Sequence, residues 1–272
     1  MYACDFEYDG KLLSDFGFMV CSFDGKSGVE TADSGSEITF ATSPVHSGKR
    51  YIANGAGYEN CLSTTFQICK NPDYFRPDET EITTAEFRAL SRWLNRREFL
   101  WFRAFDMCEP EKQRPWVRAS FTLSRIEVGG TTYGVELDMQ TDSPFGYGDL
   151  EEVTLAFTSG ALSKKLIDLN DEIGETYPET VITCGSAGTI MLTDDITGCS
   201  SSIDNCASGE VITMSGDTMI ISTSNVAHNL ANDFNYDFFR FGNTYDNREN
   251  TITANRACTV VIRYRPIWKD TL

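Results

Sequence analysis

The chain has 272 residues and a mass of 30.4 kDa, and 41% of its residues are hydrophobic and 12% aromatic. This composition supplies enough apolar surface for a packed core and argues against disorder. The net charge of −17 is shared: residues 1–145 carry 15 basic and 22 acidic side chains (−7), and residues 146–272 carry 8 and 18 (−10). Binding of nucleic acid or of an anionic membrane requires an excess of Lys and Arg, so we expect neither.

The cysteines and the N-terminal residues indicate where the protein is made. Nine cysteines are an odd number, and the chain is long enough to fold without disulfides. The first residues carry acidic and no basic side chains, and no apolar stretch follows, unlike a secretion signal. No apolar run reaches the roughly 18 residues of a transmembrane helix. We therefore expect a cytosolic origin with reduced thiols.

Most of the first half is predicted to be β-strand. Asp9-Gly10 provides the positive φ angles of a tight hairpin turn, and Gly17 would let the backbone bend before the next strand. The exception is a helix over 84–95. Thr83 and Glu86 have the spacing of a capping box, and the apolar residues that follow recur at helical intervals.

Arg88, Arg92 and Arg96 recur every four residues and are predicted to share one face of this helix. Two interpretations stay open. Exposed charges on a helix usually face solvent and contribute little. In a chain this acidic, the same row could instead contact an acidic surface on a neighbouring subunit, which would make these arginines inter-subunit contact residues.

The next segments predict a hairpin and a domain boundary. Residues 119–128 and 135–140 alternate between apolar and polar side chains, with Gly129-Gly130 as the turn between the two strands. Segment 141–148 contains one Pro and two Gly in a polar context, which is typical of a linker. The chain is accordingly divided into an N-terminal domain, 1–145, and a C-terminal domain, 146–272.

The C-terminal domain also reads as short strands. A strand is predicted at 153–157 and another at 257–262, where the apolar residues are largely β-branched. Residues 161–166 are compatible with a short helix. The predicted fold class is mainly β, with one helix in the N-terminal domain and strands typical of a sandwich or barrel in the second.

Motifs for catalysis or cofactor binding are not found. His46 and His228 have no neighbour in sequence that would orient the ring, and each is predicted to be structural. No Cys pair has the C-x-x-C spacing of a zinc site, and phosphate loops and nucleophile elbows are absent. We therefore predict a protein that is not an enzyme, with no catalytic residues, cofactor or metal.

Both ends of the chain carry motifs of one known family. The N-terminal run is Phe6-Glu-Tyr-Asp-Gly-Lys-Leu-Leu-Ser-Asp-Phe-Gly-Phe-Met-Val20. The C-terminal motifs are an aromatic stretch over 235–241, the strand entry Asn250-Thr-Ile-Thr253, and a last strand that ends in Tyr264-Arg-Pro-Ile-Trp268. Together they resemble the distal tail proteins of long-tailed siphophages. Glu175-Thr-Tyr-Pro178 and the helix at 84–95 have counterparts in that family, whereas residues 245–249 depart from its Gly-rich loop.

The resemblance implies an N-terminal domain that closes into a hexameric ring and a C-terminal galectin-like β-sandwich. It implies a structural role at the tail tip of the virion, after assembly in the host cytoplasm. The implied partners are five further copies of the chain, the major tail tube protein and the tail-associated hub protein, and the resemblance allows a receptor-binding protein as well. A central channel would let DNA pass.

Two other functions stay open at this point. A carbohydrate-binding module of an adhesin would need an exposed aromatic platform, whereas Tyr236, Phe238, Phe239 and Phe241 are expected to fill the core. A peptidoglycan hydrolase would need paired carboxylates, which act across space and leave no spacing in the sequence.

Overall fold

The computed structural model describes residues 4–23, 37–45, 48–58, 60–76, 78–105 and 114–269. It divides into two compact units, Met1–Tyr147 with Trp268–Leu272 and Gly148–Ile267. Antiparallel strands make up most of the regular structure of both, so the predicted mainly β fold class is confirmed. Of the helices in the described ranges, none is long and apolar enough to cross a membrane.

The first unit consists of one large sheet, a hairpin and one helix. Its elements are β1 (Asp5–Tyr8), β2 (Lys11–Leu12), a 3-10 helix (Leu13–Phe16), β3 (Phe18–Cys21), β4 (Glu37–Val45), β5 (Gly48–Gly57), β6 (Ser63–Lys70), α1 (Thr84–Leu94), β7 (Leu100–Phe105), β8 (Val117–Val128), β9 (Thr131–Thr141) and β10 (Gly146–Tyr147). Seven strands form a sheet in the order β2-β1-β7-β8-β9-β6-β3, while β4 and β5 pair with each other. The backbone N–H of Val20 in β3 donates to Cys4 O, just before β1, at 3.0 Å. The sheet therefore curls until its two ends approach each other.

Turn residues determine the two predicted hairpins, and both are confirmed. Asp9 and Gly10 have φ angles of 53° and 70° between β1 and β2. Gly129 and Gly130 have φ angles of 62° and 86° between β8 and β9. Two successive positive φ angles are those of the turn whose twist matches antiparallel strands. Gly17, at φ 78°, ends the 3-10 helix, and a Cβ there would lie 2.7 Å from the Phe75 ring.

The predicted helix and its capping box are also confirmed. α1 begins after Thr83, whose hydroxyl accepts the backbone N–H of Glu86 at 3.3 Å, while the Glu86 carboxylate accepts the Thr83 N–H at 2.7 Å. Such caps are worth about 0.5–2 kcal/mol. Leu90, Trp93 and Leu94 are buried, so the apolar face of α1 packs against the sheet.

Aromatic side chains fill the centre of this unit. Trp93 stacks on Phe6 with ring centroids 5.7 Å apart and on Phe16 at 4.3 Å. The indole N–H of Trp93 donates to Tyr8 O at 3.0 Å, and the Tyr8 hydroxyl donates to Ala119 O at 3.2 Å. Buried aromatic rings that also satisfy their polar atoms are strong anchors, so α1 is held against β1 and β8 in one position.

The second unit is built from two facing sheets. Its elements are β11 (Glu151–Phe157), β12 (Ser163–Ile167), β13 (Gly174–Thr176), β14 (Glu179–Cys184), β15 (Gly188–Asp194), β16 (Ser200–Cys206), β17 (Val211–Ser215), β18 (Ile220–Thr223), α2 (Leu230–Asp233), β19 (Phe241–Asn243), β20 (Glu249–Ala254) and β21 (Cys258–Tyr264). The last strand of the chain, β22 (Ile267–Trp268), begins with the last residue of this unit and ends in the first unit. One sheet has the order β11-β21-β14-β17-β18 and the other β12-β20-β15-β16, and β13 pairs with β19. Inward side chains of both sheets, such as Val260 and Ile252, form one core. This arrangement is a β-sandwich.

Buried amide side chains hold the irregular part of the sandwich. Asn250 is fully buried and its side-chain oxygen accepts the Gly242 N–H at 3.1 Å. Asn243 donates to the Asp168 carboxylate at 2.8 Å, and Asp168 is 1% exposed. Burial raises the pKa of Asp168, although hydrogen bonds from Asn170 and Asn243 act in the opposite direction. The Asn at the start of the Asn-Thr-Ile strand entry therefore fixes the chain before β20.

One local prediction was wrong and one element was not predicted. Residues 161–166, taken as compatible with a helix, instead enter β12, which pairs with β20 from Ser163↔Thr253 to Ile167↔Glu249. Alternating burial along β12 agrees with a strand. The four-residue helix α2 has no strong sequence signal. The predicted strand at 257–262 is confirmed as β21, which lies between β11 and β14.

We expect Trp93→Ala to destabilise the first unit by about 3–5 kcal/mol, since it removes a buried ring and leaves a cavity. All four tryptophans (Trp93, Trp101, Trp116 and Trp268) belong to this unit, so fluorescence during urea unfolding reports on it alone. Arg92→Ala, one residue away and exposed, is the control and should change stability by less than about 0.5 kcal/mol. A loss below about 1 kcal/mol in Trp93→Ala would contradict the anchoring role.

Candidate interaction surfaces

The N-terminal end of α1 is tied to the sheet by an ion pair beneath the helix. Lys70 of β6, whose side chain is only 6% exposed, lies 2.9 Å from the Glu86 carboxylate. Burial acts to raise the pKa of Glu86, but hydrogen bonds from Lys70 and Thr83 outweigh it and hold the pKa below its usual value. Glu86, the acidic residue of α1, is thereby turned toward its own sheet and away from the exposed face.

The three arginines predicted to share a helix face do not all lie on it. Arg88 and Arg92 are exposed, one turn apart on α1, and neither has an ion-pair partner within the described part of the chain. Arg96 lies beyond the helix, which ends at Leu94, and its guanidinium pairs with Asp9 at 2.9 Å. The exposed cationic face of α1 therefore consists of Arg88 and Arg92.

The face of the sheet turned away from the core is polar and carries two carboxylates. On β9, Val135, Leu137 and Met139 are buried, so Glu136 and Asp138 point outward. Asp138 accepts a hydrogen bond from the Thr65 hydroxyl at 2.6 Å, and Glu136 accepts one from Gln67 at 3.2 Å. No cation in the described ranges pairs with either carboxylate. Sequence alternation places these residues outward but does not identify their neighbours.

A buried charged pair lies in the second unit. His228 Nδ1 is 2.6 Å from Glu210 Oε1, and the two side chains are 1% and 0% exposed. The second Glu210 oxygen accepts the Ala207 N–H at 2.7 Å, and His228 Nε2 lies 3.3 Å from the Asp233 carboxylate. The pair joins the turn after β16 to the segment before α2. Sequence reasoning missed it because the partners are 18 residues apart.

Three buried cysteine side chains lie near this pair. Cys184, Cys206 and Cys258 are at most 4% exposed. A hydrogen bond with Cys206 and burial raise the pKa of the Cys184 thiol, and burial raises the pKa of Cys258 to about 11. The same hydrogen bond lowers the pKa of Cys206, although burial acts in the opposite direction. Thiols whose pKa is raised stay protonated, so Cys184 and Cys258 are poor nucleophiles and ligands. Across the described ranges, no group of three or more His, Cys, Asp or Glu side chains could hold a metal ion, and His46 and Cys108 lie outside those ranges.

The aromatic stretch over 235–241 divides between core and surface. Phe239 and Phe241 are 1% and 0% exposed and Phe238 packs against the same core, as expected. Tyr236 is 64% exposed, so its predicted place in the core was wrong. It has a φ angle of 60°, and its hydroxyl donates to Ala231 O at 2.9 Å. A bulky residue at positive φ is unusual and is held here by the bonds of its neighbours.

We expect the second unit to be most stable between about pH 5 and 6.5. Burial lowers the pKa of His228, but its hydrogen bond and charge interaction with Glu210 outweigh burial and raise it. A raised pKa in the folded state stabilises below the unfolded value of about 6.5 and is lost as pH rises through the folded pKa. Burial also acts to raise the pKa of Glu210, but hydrogen bonds from Ala207, Thr223 and His228 lower it, so that contribution is lost as pH falls.

Histidine NMR titration measures this directly, since the chain has two histidines and His46→Gln assigns the signals. The His228 signal should titrate above pH 6.5. His228→Gln should remove the decrease in thermal stability on the alkaline side of the optimum. A His228 pKa below 6.5 in the folded chain would rule out this account.

Comparison with known proteins shows what this fold belongs to. A family model described as "Phage tail protein N-terminal domain" matches residues 1–143, and a "Phage tail C-terminal domain" model matches residues 145–264. No curated protein sequence matches the chain. Among solved structures, the chain is similar to the Dit protein (gp 19.1) of phage SPP1, with a TM-score of 0.60 and 15% identity over 96% of this chain and 98% of that one. That protein is described as a paradigm of the hub adsorption apparatus in phages that infect Gram-positive bacteria. The chain therefore belongs to this family of phage tail proteins, and the resemblance to phage tail-tip proteins predicted from its sequence is confirmed.

Proposed function

We propose that this phage tail protein is a distal tail protein, a structural subunit that forms a hexameric ring at the tail tip. The observation that carries the proposal is the full-length fold correspondence with SPP1 Dit, over 96% of this chain and 98% of that one. A match of this extent includes both units and their order along the chain. It is supported by the tail-protein family matches to residues 1–143 and 145–264.

In this proposal the N-terminal domain, 1–145, forms the ring and the C-terminal galectin-like sandwich, 146–272, projects from it. A closed ring of identical subunits requires that two different surfaces of each subunit match. The exposed cationic face of α1 and the outward carboxylates of β9 are two such surfaces. The net charge of −17 supports a channel through which DNA passes without being retained, because like charges repel.

The ring would join the major tail tube protein on one side to the tail-associated hub protein on the other. A receptor-binding protein is a further candidate partner, through the C-terminal sandwich. The protein would be assembled in the host cytoplasm and reside at the tail tip of the virion. Its role is structural, and no catalytic step is assigned to it.

The exposed Tyr236 favours one alternative, a carbohydrate-binding module. A largely exposed aromatic ring in a strained backbone conformation is a feature of binding sites. A glycan array with the full-length chain and with Tyr236→Ala tests it. Glycan binding that is lost in the variant would support the alternative, and no binding by the wild type would contradict it.

The ring is tested by light scattering of the purified chain together with negative-stain images of the same peak. Six copies of 30.4 kDa make about 182 kDa, and we expect a ring with a central hole at that mass. A monomer that persists as concentration is raised, and on addition of the tail tube protein and the hub protein, would contradict ring formation.

A cell-wall digestion assay of the same sample addresses the hydrolase interpretation, and we expect no activity.

A further inference from the structure

We propose that α1 of one subunit lies against the outer face of β9 in a second copy of the chain, with Arg88 and Arg92 pairing with Glu136 and Asp138. The inference rests on the proposed ring and names the two surfaces that meet in it. Charge complementarity, matched spacing and placement on different sides of the sheet each support it.

The helix side of this contact is cationic, and the other side chains on it are small. Arg88 and Arg92 project from the exposed face of α1, with Ala85 and Ala89 beside them on the same face. The acidic residue of the helix, Glu86, is engaged with Lys70 beneath it. Two guanidinium groups are thus presented on a face with no anion of its own, where a second surface can approach closely.

The strand side is anionic, and the ring of Phe23 borders it where it lies over Gly134 on the same face of β9. Glu136 and Asp138 are bonded to neutral partners, Gln67 and Thr65, on the neighbouring strand β6. Their cross-strand neighbours on β8 are the small residues Ser124 and Thr122. On the β8 side, short side chains flank the carboxylates and leave room for a helix, and the carboxylates gain charge partners when it docks.

The spacing of the two surfaces agrees. Four residues of α-helix rise about 6 Å, which separates Arg88 from Arg92 along the helix. Two residues of β-strand span about 6.8 Å, which separates Glu136 from Asp138. Two Arg–carboxylate pairs can therefore form side by side, and two pairs define an orientation that one would not.

The two surfaces cannot meet within a single subunit. α1 packs on the core side of the sheet through Leu90, Trp93 and Leu94, whereas Glu136 and Asp138 lie on the opposite side. A contact between them joins different patches of two copies, which is the heterologous contact that a ring requires. Arg96 takes no part, since it is paired with Asp9 beyond the end of the helix.

Charge reversal in full-length chains tests the contact. We expect weaker rings from two double variants, Arg88→Glu/Arg92→Glu and Glu136→Arg/Asp138→Arg, because like charges then face each other. Near 0.15 M salt, each double variant should raise the subunit concentration at which half of the rings dissociate by about tenfold or more. The quadruple variant that combines them should return this concentration to within about threefold of the wild type. Dilution followed by mass photometry measures this concentration, and tryptophan fluorescence confirms that the first unit is folded in each variant.

Lys164→Glu/Lys165→Glu is the control matched to Arg88→Glu/Arg92→Glu, with the same change in net charge in the other unit, and it should leave dissociation unchanged. Rings that persist unaltered in both double variants would overturn this pair of surfaces while leaving the proposed ring intact. Weakening in both variants without restoration in the quadruple variant would overturn the pairing. A wild-type chain that forms no ring would overturn the proposed function and the contact together.

Discussion

The first unit depends on the packing of one indole ring. Trp93 projects from α1, stacks on Phe6 of β1 and on Phe16 of the 3-10 helix, and donates its N–H to Tyr8 O. One side chain thereby connects α1 to β1, near one edge of the sheet, and to the 3-10 helix, which leads to β3 at the other edge. Burying a large apolar side chain stabilises by about 1.5–3 kcal/mol, whereas an exposed ion pair contributes about 0–1 kcal/mol. The apolar face of α1 therefore sets its position, and the charged face is presented as a consequence.

The same constraint determines which surfaces remain for other molecules. With Leu90, Trp93 and Leu94 held in the core, Arg88 and Arg92 must point outward, and Arg96 falls where Asp9 can reach it. Alternation along β9 sends Glu136 and Asp138 to the other side of the sheet. A subunit with complementary charges on different sides is suited to join identical neighbours in a closed series. Surfaces of this kind suit the role in a tail assembly that we propose for the chain.

The second unit uses buried polar groups where the sandwich is irregular. Burying a charge or a polar group costs free energy unless it finds a partner. Glu210 is paired with His228, and Asp168 accepts a hydrogen bond from the neutral amide of Asn243. These bonds hold the segments around α2 and β19, which have few ladder bonds of their own. The Asn of the family-like strand entry, Asn250, has the same role, since its side chain accepts the backbone N–H of Gly242 in β19. Segments of this type present Tyr236 to solvent.

Local chemistry in the sequence was sufficient for the turns at Asp9-Gly10 and Gly129-Gly130, for the capped helix after Thr83 and for the mainly β fold class. Each depends on residues a few positions apart, whose conformational preferences act before any tertiary contact. Only the tertiary structure decided that residues 163–167 are a strand, since β20 pairs with them from more than 80 positions away and six residues are too few to separate the two periodicities. It alone brought Glu210 to His228 and Asp9 to Arg96. Side chains distant in sequence meet only after the core has positioned their backbones, so the charged surfaces of this protein follow from its packing.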